Sequence, residues 1–230
     1  MNIQAVILAG GRGSRLNPVT DNTPKPMIKV CGKPFLEHLL ILLQRQKIND
    51  ILLLVSYLGD KIESHFGDGK KLGLKISYCY EKNQLGTAGA LRNAKSKLND
   101  EFILLNGDTI TIVDYFKLVE SFHKSKKDAM VVAYDNKKKV GPSNITCRNN
   151  QVIGCGKNDS NNTHINAGVA VFKRSIVNLI PKKKMCSLEE EIFPQLIENC
   201  QFTSFPTSQR FFDMGVPEGL DTVEKYLNNT

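Results

Sequence analysis

The run Leu8-Ala9-Gly10-Gly11-Arg12-Gly13-Ser14-Arg15-Leu16 closes an apolar segment and is followed by Pro24-Lys25-Pro26. Glycines placed directly after a buried strand let backbone N–H groups approach phosphate oxygens closely. Arg15 and Lys25 add positive charge where a triphosphate would sit. Taken alone, the glycines suit an ordinary turn equally well. Two familiar phosphate loops are ruled out. Walker A requires G-x4-G-K-[ST], which occurs nowhere in the chain, and the dinucleotide fingerprint G-x-G-x-x-G fails at Leu16.

Four further constellations carry chemistry. Glu81-Lys82-Asn83-Gln84-Leu85-Gly86-Thr87-Ala88-Gly89 lies between a strand pattern and a helix pattern, where Thr87 could also serve only as an N-cap. Leu105-Asn106-Gly107-Asp108 ends an apolar strand. An aspartate there lies on the edge where open α/β sheets bind ligands, although Asn-Gly also makes plain turns. Asp213-Met214-Gly215-Val216-Pro217 reads by itself as the turn into a helix, with Pro217 at its start. Lys157, followed by Ile165-Asn166-Ala167-Gly168, reads by itself as an exposed loop lysine.

Alternating strands and helices must position these groups. Ile3–Ala9 is a nearly continuous apolar run, as expected of a buried parallel strand. Helical spacing follows at 35–46, a strand at 51–55, a short helix at 60–66 and an alternating strand at 74–80. A helix at 87–98, a strand at 102–105, a helix at 113–125 and a strand at 129–133 complete the pattern. This succession predicts a doubly wound α/β fold, a mostly parallel mixed sheet inside three α/β/α layers. Beyond Asp135 the pattern loosens to short strands at 144–147, 151–155 and 166–172 and helices at 188–198 and 218–226. One domain over 1–230 is expected, with a nucleotide-binding half at 1–135 and a second half at 136–230 that completes the site.

Bulk properties narrow the partners. The chain has 230 residues, a hydrophobic share of 41% and a net charge of +8, which suit a globular core and an anionic partner. Its lysine clusters at 124–127, 137–139 and 182–184 read as solvated turns. No basic stripe interleaved with aromatics argues for nucleic acid. The stretch Ile3–Ala9 is too short for a signal sequence or a membrane span, so a cytoplasmic protein is expected. The six cysteines show neither C-x-x-C nor zinc spacing, and reduced, mostly buried thiols are expected.

The opening pattern L-A-G-G-x-G-x-R-L with a later P-K-P resembles the sugar-1-phosphate nucleotidyltransferases, and the other four motifs follow in that family's order. The resemblance covers nearly the whole chain and implies a Rossmann-like nucleotidyltransferase fold. It implies nucleotide binding by Leu8, Ala9, Gly10, Gly11, Gly13, Ser14, Arg15, Lys25, Glu81, Gly86 and Thr87. It implies Mg²⁺ on Asp108 and Asp213, and sugar-phosphate binding by Lys157, Asn166 and Gly168. Arg15, Lys25, Asp108 and Asp213 would be the catalytic set. Two departures stand out: Gln84 where many relatives have Pro, and Gly156-Lys157-Asn158 in place of E-K-P. Ser187-Leu188-Glu189-Glu190-Glu191-Ile192-Phe193-Pro194 is most similar to the D-glycero-α-D-manno-heptose 1-phosphate guanylyltransferases. The implied substrates are an NTP, GTP by preference, and that heptose 1-phosphate, with pyrophosphate released and the NDP-sugar used for surface polysaccharide. The competing readings are a mannose-1-phosphate guanylyltransferase, a uridylyl- or cytidylyltransferase acting on another sugar, or an inactive sugar-nucleotide-binding regulator. The sequence leaves oligomeric state open, a homodimer included.

Overall fold

The computed structural model describes residues 3–11, 22–156, 159–183, 185–215 and 219–228. In chain order its strands are β1 (Gln4–Leu8), β2 (Lys29–Val30), β3 (Lys33–Pro34), β4 (Asp50–Val55), β5 (Lys75–Tyr80), β6 (Glu101–Asn106), β7 (Thr109–Thr111) and β8 (Ala129–Asp135). They continue with β9 (Ile145–Arg148), β10 (Gln151–Cys155), β11 (His164–Lys173), β12 (Phe202–Thr207) and β13 (Phe211–Asp213). The helices are α1 (Phe35–Arg45), α2 (Gly59–Phe66), α3 (Gly86–Asn93), α4 (Tyr115–Ser125), α5 (Phe193–Glu198) and α6 (Gly219–Leu227).

One nine-stranded sheet runs β5-β4-β1-β6-β11-β8-β12-β10-β9. β5, β4, β1 and β6 are parallel neighbours, β11 enters antiparallel between β6 and β8, and β12 returns parallel to β8. This is the mixed, mostly parallel sheet that the pattern predicts. Side chains alternate across it, as strand geometry requires. Ala5 and Ile7 of β1 and Ile103 and Leu105 of β6 face one core, which α1, α2, α4 and α6 cover with Leu36, Leu39, Ile62, Leu118 and Val223. Val6, Phe102 and Leu104 face the other, covered by Leu91 of α3 and Phe193 and Leu196 of α5. The result is the three-layer α/β/α arrangement.

The structure differs from the sequence reading at several places. The helix expected at 87–98 ends at Asn93, and Lys95–Lys97 tightens into a 3₁₀ turn. The helix expected at 188–198 opens as a π-helical turn at Leu188–Ile192 and becomes α-helical only from Phe193. Pro194, which has no N–H to donate, sits at that junction. β12 was not expected at all. Its sequence FTSFPT contains Pro206 and three hydroxyl residues, yet Phe202 is buried and stacks on Phe193 with centroids 4.7 Å apart. β7 and β13 were also missed, being three residues each. Of the six free cysteines only Cys79 and Cys186 are buried, while Cys31 and Cys200 are exposed, so the expectation of mostly buried thiols fails.

Phe202→Ala should cost about 3–5 kcal/mol by emptying the space between α5 and the sheet. Phe116→Ala, at a residue 64% exposed, should stay within about 0.5 kcal/mol of the parent. Urea titration monitored by circular dichroism measures both, and equal losses would contradict the packing described for β12.

Candidate functional site

The C-terminal edge of the parallel strands carries the candidate groups. Leu8 of β1 pairs with Asn106 of β6, so the turns that follow both strands leave the sheet side by side. Gly107 N–H donates to Leu8 O at 3.0 Å, and a Cβ on Gly107 would stand 2.6 Å from that oxygen. Only glycine permits this approach of two backbones. Gly10 is also confined, since a Cβ there would stand 3.0 Å from Ser56 Cβ, whereas Gly11 faces open space. Of the remaining loop residues, Gly13, Ser14 and Arg15 lie outside the described residues, as does Lys157.

Lys25 opens a 3₁₀ turn, Lys25–Met27, with Pro24 before it and buried Pro26 after it. Two prolines fix the backbone on both sides of the lysine. Its Nζ lies 2.5 Å from Asp108 Oδ2, and the two side chains are 12% and 33% exposed. Thr109 Oγ1 donates to the other oxygen, Oδ1, at 3.2 Å.

Asp213 reaches the same place through backbone pairing. β13 runs antiparallel to β7, with Asp213 opposite Thr109, the neighbour of Asp108. Met214 N–H donates to Asp108 O at 2.9 Å, and Gly215 N–H donates to Asp213 Oδ1 at 2.6 Å. A Cβ on Gly215 would stand 2.9 Å from both Asp213 Oδ1 and Lys25 Nζ, so the lysine and both aspartates crowd one small space. Behind it, Phe212 packs on Tyr226 of α6 with centroids 4.6 Å apart. A Cβ on Gly219 would overlap Asp213 O at 1.9 Å, so α6 starts against the backbone of the carboxylate residue itself.

Asn166 and Gly168 are brought to the edge by β11. The pairing of β11 with β8 shifts register between Asn166 and Ala170, and Gly168 takes φ +74°. Such a bulge redirects the strand. Gly168 N–H donates to Asn166 Oδ1 at 3.0 Å, and a Cβ on Gly168 would stand 3.1 Å from Asn106 Nδ2. Leu8, Asn106, Asn166, Gly168, Leu188 and Glu189 line one cleft. Asn106, Leu188 and Glu189 are cleft residues that motif reading assigned no role. Asn106 was visible as the partner of Asp108 in Asn-Gly-Asp, while Glu189 had no signal beyond its place in a run of glutamates.

The 81–89 loop is set differently from the rest. Thr87 Oγ1 accepts from Leu188 N–H at 2.8 Å and donates to Glu189 Oε2 at 3.3 Å. Gly86, at φ +77°, fits under Cys186, whose carbonyl would stand 2.4 Å from a Cβ. Ala88 N–H donates to that same carbonyl at 3.0 Å. Gly86 and Thr87 thus clamp the 186–189 segment. Glu81 Oε2 accepts from Leu85 N–H at 3.1 Å and holds the loop shut. Burial raises the Glu81 pKa above the ordinary 4.5, and the Leu85 hydrogen bond opposes the shift.

The arrangement gathers one cation and two carboxylates at the strand ends, beside a cleft lined by Asn106, Asn166 and Gly168. A family model described as Nucleotidyl transferase matches residues 4–229. The chain belongs to this family. This nucleotidyl transferase is 30% identical to the D-glycero-alpha-D-manno-heptose 1-phosphate guanylyltransferase of Aneurinibacillus thermoaerophilus, with 99% of each chain covered. It is 35% identical to the mannose-1-phosphate guanylyltransferase of Mycobacterium tuberculosis, covering 94% of this chain and 62% of that protein. Yersinia pseudotuberculosis HddC, solved as a complex with GMP-PN, superposes with a TM-score of 0.83 at 29% identity, covering 98% of this chain and 99% of that one.

The raised pKa of Glu81 makes a pH prediction. In the unfolded chain Glu81 loses its proton near the ordinary carboxylate value, and in the folded chain only at higher pH. Between the two the folded state holds the extra proton, so stability from this group falls as pH rises through that window. Glu81→Gln has no such dependence. Its stability relative to the parent should therefore rise between about pH 4 and about pH 7. Urea melts of both proteins at the two pH values check this, and a constant difference would refute it.

Proposed function

We propose that this chain transfers a guanylyl group from GTP to D-glycero-α-D-manno-heptose 1-phosphate and releases pyrophosphate. The carrying observation is the convergence of Lys25, Asp108 and Asp213 at the end of β1 and β6. An inactive binding protein has no need of that cluster. Both guanylyltransferase relatives and the GMP-PN complex of HddC support guanine as the base. End-to-end likeness to the Aneurinibacillus enzyme supports the heptose. The higher identity to the mycobacterial enzyme supports mannose 1-phosphate as the second reading.

The reaction needs no general base, because the attacking phosphate oxygen is already anionic at neutral pH. That oxygen forms a bond to the α-phosphorus while the bond to the pyrophosphate oxygen breaks. Catalysis then rests on positioning and charge neutralisation. Gly10 and Gly11 bring backbone close to the phosphates, and Arg15 adds charge. Lys25 exchanges Asp108 for a phosphate oxygen as the nucleotide enters. Glu81, Gly86 and Thr87 carry the wall beside the base, and Asn166, Gly168 and Lys157 hold the sugar phosphate.

The donor set fits Mg²⁺. Asp108 and Asp213 offer hard oxygens in one place, and no cluster of three or more His, Cys, Asp or Glu able to hold a metal ion occurs among the described residues. Two carboxylates leave room for the phosphates and water that Mg²⁺ prefers. Bound there, the ion would supply Lewis-acid neutralisation of the phosphate charge. Among the described residues no helix is long and apolar enough to cross a membrane. Six free thiols suit a reducing compartment, and we place the reaction in the cytoplasm, feeding capsule or lipopolysaccharide synthesis.

A pyrophosphate-release screen of four nucleoside triphosphates against a panel of sugar 1-phosphates tests the assignment. GTP with the manno-heptose 1-phosphate should be the fastest pair, and release with no pair would overturn the function. Asp108→Asn and Asp213→Asn should each lower kcat by about 10²-fold or more with circular dichroism unchanged. Near-parent rates in both would remove the metal assignment.

A further inference from the structure

The run Glu189-Glu190-Glu191 divides its carboxylates among different tasks. Glu191 turns back: it pairs with Lys183 and accepts from Ser187 N–H. The Glu190 backbone N–H donates to the Ser187 hydroxyl at 3.3 Å, the N-cap of the π-helical turn. Glu189 points elsewhere and lines the cleft with Leu8, Asn106, Asn166 and Gly168. Its Oε2 accepts from Ser187 Oγ at 2.9 Å and Thr87 Oγ1 at 3.3 Å. No described residue donates to Oε1, and no described cation pairs with the carboxylate, in a chain of net charge +8.

A carboxylate held by one oxygen, with the other unclaimed at a cleft wall, is an acceptor looking for neutral donors. It repels phosphate, and because Glu189 is exposed, water meets this oxygen until a ligand hydroxyl takes its place. Sugar hydroxyls meet that need, since a carboxylate accepts well from O–H groups. Asn106 continues the sheet face of Leu104 and lines this cleft with Glu189, while Asp108, Lys25 and Asp213 gather beside Gly215. Sugar phosphate held by Asn166 and Gly168 would leave the ring hydroxyls to Glu189, which lines the same cleft.

We propose that Glu189 is the sugar-selecting residue, whose Oε1 accepts a ring hydroxyl of the sugar 1-phosphate. This rests on the sugar-1-phosphate reading of the cleft. It also gives the Thr87 contact a purpose. Thr87 belongs to the loop beside the nucleotide, so the Thr87–Glu189 hydrogen bond ties sugar selection to the nucleotide wall.

Direct binding separates this from the wider reading, because it needs no turnover. Isothermal titration would use α-D-mannose 1-phosphate, its monodeoxy analogues and inorganic phosphate, on the parent and on Glu189→Gln. Glutamine keeps an oxygen for Ser187 and Thr87, so a merely structural role predicts unchanged sugar affinity. The proposal predicts an affinity for mannose 1-phosphate about tenfold weaker, with inorganic phosphate bound as well as before. One monodeoxy analogue should lose a similar factor on the parent and nothing further on Glu189→Gln. Equal affinity in parent and variant, equal losses across all analogues, or no sugar 1-phosphate binding by the parent would each overturn it. Mannose 1-phosphate binding without pyrophosphate release from any nucleotide would instead fault the transfer reaction and leave Glu189 in place.

Discussion

The cluster of Lys25, Asp108 and Asp213 depends on the pairing of β13 with β7. Asp108 and Asp213 are far apart in the chain, and like charges do not gather unless the backbone compels them. The compulsion is a short antiparallel ladder in which Asp213 faces Thr109, reinforced by Met214 N–H on Asp108 O. Apolar packing holds the ladder: Phe212 is buried against Tyr226, and α6 begins directly on the Asp213 carbonyl. Lys25 then completes the cluster from a turn stiffened by two prolines. The Lys25–Asp108 pair offsets part of the repulsion between the carboxylates.

The sheet supplies the other half of the site by an irregularity. A regular β11 would continue its alternation and point Asn166 and Gly168 according to the pleat alone. The register shift and the positive φ at Gly168 break that alternation beside Asn106 and Thr109. Space between strands that would otherwise be filled becomes the floor of a cleft. The wall opposite is the 186–189 segment, held by Gly86, Thr87 and Ala88. The 81–89 loop therefore holds one wall of that cleft, so loop and cleft form one mechanical unit.

The sequence by itself determined the strand–helix alternation of the first half, because parallel strands buried on both faces must be apolar throughout. It also determined Lys25 and Asp108 as candidates, because prolines and strand-end carboxylates carry their own local geometry, while Asp213 became one only through its likeness to a family motif. Tertiary structure decided what local pattern cannot express. β12 is a strand because β8 and β10 offer hydrogen bonds on either side of it, although FTSFPT has weak strand character by itself. β7 and β13 are too short to show periodicity and exist only as each other's partner. The role of Thr87 follows the same logic. Its place before a helix suggested a cap, but the cap position falls to Leu85 and the hydroxyl serves the 186–189 segment instead. Glu189 is one of three adjacent glutamates that composition cannot tell apart, and only long-range contacts with Thr87 and the cleft distinguish it. Contacts between residues distant in sequence are set by which surfaces meet once the core has formed, and that information belongs to no single segment of the chain.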